Sequence, residues 1–424
     1  MKRLKLWLAA LVLAAPLAAC KSPDGEEKAS QELNVNSRYT VESVRLLGAD
    51  LKISNALRRE VDRIVGAKYD LSAIEDLADH IKSELHLADI KISVTRGTTP
   101  DHVIVNLEAR QPQRTFDLNV AKFVYGSKEG WNGDGAATVN LRQNAVTFGL
   151  VSDNDTLVER YAGIRAQFER KSVGTDRLRL RFEFASFHTQ WNEATLAAAP
   201  LSEIYRTRQV FMPEATVVIL PPLEWSFGAS FDRLGVPFSS ATVGGAAAAK
   251  TESSNAVVNT LRYHQRWGSA HSRREQEISA SYLVRAGTGL LDSDRAFTRH
   301  LARAFYLFRR GRHTVHTEFA AGRLSGAAPL YERFVLGDSE MLRGWSRFDL
   351  DPVGGTRLLY GSAGYQYGIL ETFYDSGAVW DAPGEKKPRQ SLGIGFKKEC
   401  FQLAVAFPLG SGRADPIFYA GMSF

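Results

Sequence analysis

Residues 178–184 read Leu-Arg-Leu-Arg-Phe-Glu-Phe. Period-two alternation places Leu178, Leu180, Phe182 and Phe184 on one face of a sheet and Arg179, Arg181 and Glu183 on the other. Leu223/Trp225/Phe227/Ala229/Phe231, Ile278/Ala280/Tyr282/Val284 and the terminal Phe418/Ala420/Met422/Phe424 repeat the pattern. About 16 such segments fit between 115 and 424, which suits strands of about 10 residues joined by turns and loops. Pro221-Pro222 marks one tight turn, and the apolar-poor stretch 234–255 reads as an exposed loop. Two folds share this alternation. In a soluble sandwich the apolar face turns inward; in an outer-membrane barrel it meets lipid and the charges line a wet lumen.

The N-terminus favours the barrel. Lys2, Arg3 and Lys5 precede an apolar stretch, Leu6 to Pro16, and then Leu17-Ala18-Ala19-Cys20. This is signal-peptide architecture, too short for a spanning helix. Its ending resembles a bacterial lipobox, so 1–19 is expected to be a lipoprotein-type signal peptide and Cys20 an acylated first residue. The polar residues 20–36 read as a flexible tether. Lys21-Ser22 carries no Asp that would suggest inner-membrane retention, so the outer membrane is expected. No other segment approaches the roughly 20 apolar residues of a membrane helix, which excludes a polytopic helical protein. The cysteines Cys20 and Cys400 set up no disulfide framework. The net charge of +6 includes three cations of the signal segment and gives no reason to expect nucleic acid.

Residues 37–112 pattern as a small β-α-α-β-β domain. Val41, Val44 and Leu46 form a short strand pattern ending at Gly48. Ser54 can cap a first helix with the stripe Leu57, Val61, Ile64 and Val65, closed by Gly66. Ser72 and Glu75 fit a capping box for a second helix with the stripe Ile74, Leu77, Ala78, Ile81 and Leu85. Ile90/Ile92/Val94 and Val103/Val105/Leu107 alternate as a following pair of strands. In an exported chain this order looks like a POTRA (polypeptide-transport-associated) domain. Its functional use would be β-augmentation by an extended client; its bland use would be that of a spacer.

The last hundred residues carry a family resemblance. Phe334-Val-Leu-Gly337-Asp338-Ser-Glu-Met-Leu342-Arg343-Gly344-Trp345 is followed by Gly354-Gly355. Next come Phe373-Tyr374-Asp375-Ser376-Gly377-Ala378-Val379-Trp380, then Arg389-Gln-Ser391-Leu-Gly393-Ile-Gly395, and the terminal Phe418-Tyr-Ala-Gly421-Met-Ser-Phe424. In this order the pieces resemble the outer-membrane protein-assembly and translocation barrels (the BamA/TamA-like, bacterial surface antigen family). The resemblance is specific over 331–424 and architectural over 37–330. It implies a mainly β chain: a transmembrane antiparallel β-barrel of about 16 strands over 115–424, behind a single periplasmic POTRA-like domain. It further implies a long loop folded into the barrel, with Arg343 paired to Asp375, Gly344 allowing a tight turn and Trp345 wedging the tip. Phe418, Gly421 and Phe424 would be the C-terminal strand signal. Alternation puts Glu371, Phe373, Asp375 and Gly377 on the lumen face, with Gly377 leaving room for the loop. One departure concerns the preceding strand, where Gly364 stands in place of the second acid that family members use to contact the Arg.

Enzyme signatures are absent: there is no Gly-x-Ser-x-Gly elbow, His-Glu-x-x-His or phosphate-loop pattern. His313 and His316, three apart on a strand, face opposite sides and make no metal pair. No cofactor or metal is expected. The resemblance implies insertion or translocation of proteins at the bacterial outer membrane, with unfolded clients, outer-membrane lipids and a periplasmic partner as the contacts. A client would pass from the POTRA-like domain to the lumen or to the seam between the first and last strands. The alternative is a passive pore or structural barrel whose N-terminal domain docks a periplasmic partner.

Overall fold

The computed structural model describes residues 38–47, 55–84, 87, 89–110, 116–141, 143–153, 157–175, 177–236, 250–269, 274–398, 400–410 and 415–423. The signal segment, Cys20, the tether, Gly48, Ser54, Leu85 and Phe424 lie outside the described residues.

The N-terminal unit contains β1 (Thr40–Leu47), α1 (Asn55–Ile64), α2 (Leu71–Glu84), β2 (Asp89–Arg96) and β3 (His102–Arg110). β2 and β3 form an antiparallel hairpin, and β1 joins the other side of β3 in parallel, giving the order β1-β3-β2. Parallel pairing needs a crossover, which the two helices supply. Their apolar stripes cover one face of the sheet: Leu57, Ile74, Leu77 and Ile81 bury against Val41, Val103, Val105 and Leu107. Gly66 ends α1 at φ +84 and its N–H donates to Val41 O at 2.8 Å. The cap of α2 differs from the expected Ser72–Glu75 box. Asp70 accepts from the Ser72 N–H at 3.0 Å, because the helix begins at Leu71 and the free N–H groups of its first turn face the Asp70 carboxylate.

The remaining strands are β4 (Phe116–Gly126), β5 (Gly130–Leu141), β6 (Asn144–Ser152), β7 (Arg160–Arg170), β8 (Leu178–Gln190), β9 (Thr207–Leu220), β10 (Leu223–Val236), β11 (Lys250–Ser253), β12 (Ala256–Ser269), β13 (Arg274–Gly287), β14 (Phe297–Arg310), β15 (His313–Gly326), β16 (Arg357–Tyr367), β17 (Leu370–Trp380), β18 (Arg389–Lys398), β19 (Phe401–Leu409) and β20 (Ile417–Ser423). All pairings are antiparallel, and β20 returns to β4 to close a barrel. The short β11 pairs with the end of β10 before β12 takes over, so sixteen strands form the wall. The loop expected over 234–255 is therefore shorter: β10 runs to Val236 and β11 starts at Lys250.

Lumen and lipid faces divide as alternation requires. Phe182, Phe184, Trp225 and Phe227 are 40–44% exposed on the outer wall. Inside, Arg181 pairs with Glu214 on β9 at 3.0 Å, and Arg165 with Asp134 at 3.1 Å. A soluble sandwich would bury those aromatics instead. The end of the barrel nearest the N-terminal unit has tight connections, such as Gly311-Arg312 and Gly368-Ile369. Longer connections crowd the opposite, loop end, where 327–356 joins β15 to β16.

Candidate functional site: a loop anchored inside the barrel

Residues 327–356 fold into the lumen because their apolar residues have a dry surface there. Phe334, Leu336, Met341 and Leu342 bury against Leu301, Leu324, Leu358 and Tyr360 of the inner wall. The loop enters through a single helical turn, Leu330–Glu332, that is wholly buried. Glu332 meets Arg285 at 2.8 Å and Arg299 at 3.7 Å, and the Arg208 guanidinium lies 3.7 Å from the centroid of the Tyr331 ring. At the tip, Asp338 Oδ1 accepts from the N–H groups of Glu340 and Met341, both at 2.6 Å, which bends the chain back.

The bend delivers Arg343 to β17. Arg343 Nε donates to Asp375 Oδ2 and Nη2 to Oδ1, each at 2.9 Å, a two-pronged fork. The Arg343 backbone N–H adds a third bond to Oδ2 at 3.0 Å. Ser362, directly opposite Asp375 on β16, donates to Oδ1 at 2.7 Å. Asp375 is fully buried, so these four bonds replace its hydration. The Arg343 guanidinium also stacks 3.4 Å from the centroid of the Phe373 ring. Gly377 faces the same lumen strip; a side chain there would meet Leu336 at 2.9 Å.

Gly344 has φ +90, a conformation L side chains avoid, and an added Cβ would lie 3.1 Å from Ala406. Its N–H donates to Tyr419 OH on β20 at 3.0 Å. Trp345 Nε1 donates to Gln390 O at 2.9 Å, and Arg389 lies over its ring. The structure thus brings Arg343, Gly344, Trp345 and Asp375 together. Of the terminal residues, Phe418 faces outward, 51% exposed, and Gly421 pairs with Val124 across the seam. Gly364 lies two residue pairs away from the acid, opposite Phe373, with the His316 ring where its side chain would be. The group facing Asp375 from that strand is the Ser362 hydroxyl. His313 and His316 diverge, His313 to Tyr365 OH outside at 2.7 Å and His316 to Glu371 inside at 3.4 Å.

Sequence reasoning missed a second anchor. The short helix α3 (Glu193–Ala198) packs at the loop end, and Thr195 donates to Pro352 O at 2.6 Å. Beyond Trp345 comes α4 (Arg347–Leu350). Its Arg347, 1% exposed, donates from Nη2 to Asp153 Oδ2 at 2.7 Å and from Nη1 to Leu157 O at 2.9 Å, and its Nε lies 3.5 Å from Glu129 Oε2. Ser346 Oγ donates to Glu129 at 2.9 Å. Lys122 and Lys128 reach Glu340 and Asp349 at 3.0 and 2.8 Å. The loop therefore touches β20 through Tyr419 and β4 through Lys122, on both sides of the barrel's closing pair. Among the described residues five pairs join β20 to β4, against fourteen between β13 and β14. Among the described residues no group of three or more His, Cys, Asp or Glu side chains is placed to hold a metal.

A closed antiparallel barrel with an aromatic exterior, a charged interior and a loop pinned in its lumen is an outer-membrane β-barrel. Residues 279–410, less than half of the chain, match the Omp85 superfamily domain. No curated protein matches the chain. Among solved structures, the chain is similar to BamA from Haemophilus ducreyi lacking POTRA domains 1–3, with a TM-score of 0.56 and 15% identity over 92% of this chain and 85% of that one. It is also similar to CdiB from Acinetobacter baumannii, with a TM-score of 0.53 and 12% identity over 92% of this chain and 74% of that one. At these identities the likeness is one of fold.

Proposed function

We propose that this barrel inserts or translocates proteins at the bacterial outer membrane, with the seam between β4 and β20 as its working element. The observation that carries this reading is the loop 327–356 bound to both sides of that seam, through Gly344 to Tyr419 and Glu340 to Lys122. Among the described residues five pairs close the wall there. Beyond them, Phe116 and Leu118 of β4 are 59% and 57% exposed. An unpaired strand edge with apolar side chains can template an incoming strand. The N-terminal unit acts as a POTRA-like periplasmic domain: β1 and β2 are the edges of its sheet and can accept an extended client. In the same proposal, 1–19 directs export, acylated Cys20 anchors the mature chain, and 20–36 tethers the domain. Client strands entering the bilayer satisfy their backbone groups by pairing, so the step requires no nucleotide. The passive-pore alternative has less support, because the loop and its apolar cluster occupy the lumen.

The test pairs Phe123→Cys with Met422→Cys, which are direct cross-seam partners. Oxidation should abolish assembly of client outer-membrane proteins and reduction should restore it, while the barrel stays folded by heat-modifiability on gels. Full activity with the seam cross-linked would sink the proposal.

A further inference from the structure

On β13 to β17 every acid faces the lumen, where Arg285, Arg299, Arg303 and Arg309 share that face, and the outward face carries basic side chains but no acid. The acids Glu275, Glu277, Glu318, Glu371 and Asp375 alternate with exposed Tyr282, Phe319 and Tyr374 and face the lumen. The outer wall at the loop end carries the opposite charge. His300 is directly opposite Arg323, Arg323 opposite Arg357, and Arg357 opposite Trp380. Each shares its face with an exposed ring of its own strand: Tyr306, Phe319, Tyr365 and Tyr374. At about 4.8 Å between strands the row spans roughly 15 Å. Lys386 extends it, with Nζ 5.5 Å from the centroid of the Trp380 ring.

The height of the row places it at a membrane interface. His313, on the same face of β15 as Arg323, packs with Tyr365 and Tyr367 at ring distances of 6.0 and 5.1 Å. That aromatic group marks the opposite interface. Ten residues of a strand tilted about 40° rise about 26 Å, close to the apolar band of about 25 Å on such barrels.

Like charges placed directly opposite each other destabilise a sheet unless an anion offsets them. Arg357 is partly satisfied, donating to Leu324 O at 2.8 Å and Thr356 O at 3.0 Å. Arg323 is exposed, with no polar partner among the described residues. A guanidinium fork fits phosphate oxygens. Below it, Ala321 and Phe319 continue an apolar wall along which acyl chains can lie.

We propose that His300, Arg323, Arg357 and Lys386 form a binding site for the phosphates of an anionic lipid headgroup in the leaflet at the loop end. The apolar wall beneath the cations selects a lipid over a soluble anion. The proposal rests on the outer-membrane location and is independent of the insertion activity.

The full chain is placed in phosphatidylcholine nanodiscs in which one lipid in ten is a doubly phosphorylated acylated disaccharide, or that lipid with both phosphates removed. Heat-modifiability verifies the folded barrel in each disc, and native mass spectrometry counts retained lipid. The phosphorylated lipid should be retained about tenfold better, a difference of about 1.4 kcal/mol. The double variant Arg323→Gln, Arg357→Gln should lose that preference. The Lys double variant should keep part of it, and Arg310→Gln, at the other interface, all of it. Equal retention of the two lipids, or full retention by the Gln variant, overturns the site. Displacement of the lipid by millimolar inorganic phosphate also overturns it, in favour of a soluble-anion site.

Discussion

The two anchors of the lumen loop use the same chemistry with the centre exchanged. At β17 the hub is an acid: Asp375 accepts four hydrogen bonds, three of them from Arg343 and one from Ser362. At the loop end the hub is a base: Arg347 serves Asp153, Glu129 and the Leu157 carbonyl. A hub and its partners differ in what remains after removal. Arg343 depends on Asp375 for its carboxylate contact, whereas Asp153 keeps Arg160 at 3.0 Å and Glu129 keeps Ser346. Loss of the acid hub therefore strands a charge, and loss of the base hub leaves each acid with another donor.

The largest effect should come from Asp375→Ala. It leaves the Arg343 guanidinium, 16% exposed, without its carboxylate, together with one backbone N–H and one hydroxyl. Removing one member of a buried pair costs about 3–5 kcal/mol. Hydrogen exchange of 327–356 in the membrane-embedded barrel should accelerate accordingly, with export unaffected. Arg347→Ala should come next, at about 3 kcal/mol, the low end of that range, since its acids retain partners. Arg343→Ala should cost less, about 2 kcal/mol, because Ser362 remains on the carboxylate. Adding Arg343→Ala to Asp375→Ala should add no further loss and should recover part of it, since the stranded charge is then gone. Additive effects of these two, or Arg343→Ala exceeding Asp375→Ala, would break the assignment of Asp375 as hub.

The two anchors also differ in how far the sequence discloses them. Arg343, Gly344 and Asp375 sit in short motifs, and alternation alone puts Asp375 on the lumen face beside Gly377. The barrel strands are legible for the same reason, since each spends one face on lipid. Arg347 and Asp153 are 194 residues apart, and neither carries a motif. Only the closed barrel, with β4 to β7 folded back beside β16 to β20, makes them neighbours. Register hides Ser362 as well: a two-residue offset, which keeps the face, decides whether Ser362 or Gly364 meets the acid, and spacing does not specify it. At the start of α2 the expected cap is Ser72, and the backbone instead uses Asp70, two residues earlier.

The N-terminal unit provides the solvent-screened limit of the same comparison. His80 Nδ1 lies 3.0 Å from Glu60 Oε1, joining α2 to α1, with both side chains about a third exposed at 36% and 35%. The hydrogen bond to Glu60 holds the His80 pKa above its ordinary value, against the opposing effect of burial. A raised folded-state pKa stabilises the unit fully below the unfolded value of about 6.5. That contribution is lost as pH rises through the folded-state value. Because water screens the pair, the change should be the smallest of the series. Limited proteolysis of 38–110 in the intact protein should be slightly faster at pH 8 than at pH 6, after correction for the protease's own pH profile. His80→Gln should remove that difference, because a neutral amide can keep a hydrogen bond to Glu60 but cannot titrate. An unchanged pH dependence in the variant would place the sensitivity elsewhere in the unit, and the α1–α2 pair would then be a surface contact without energetic weight.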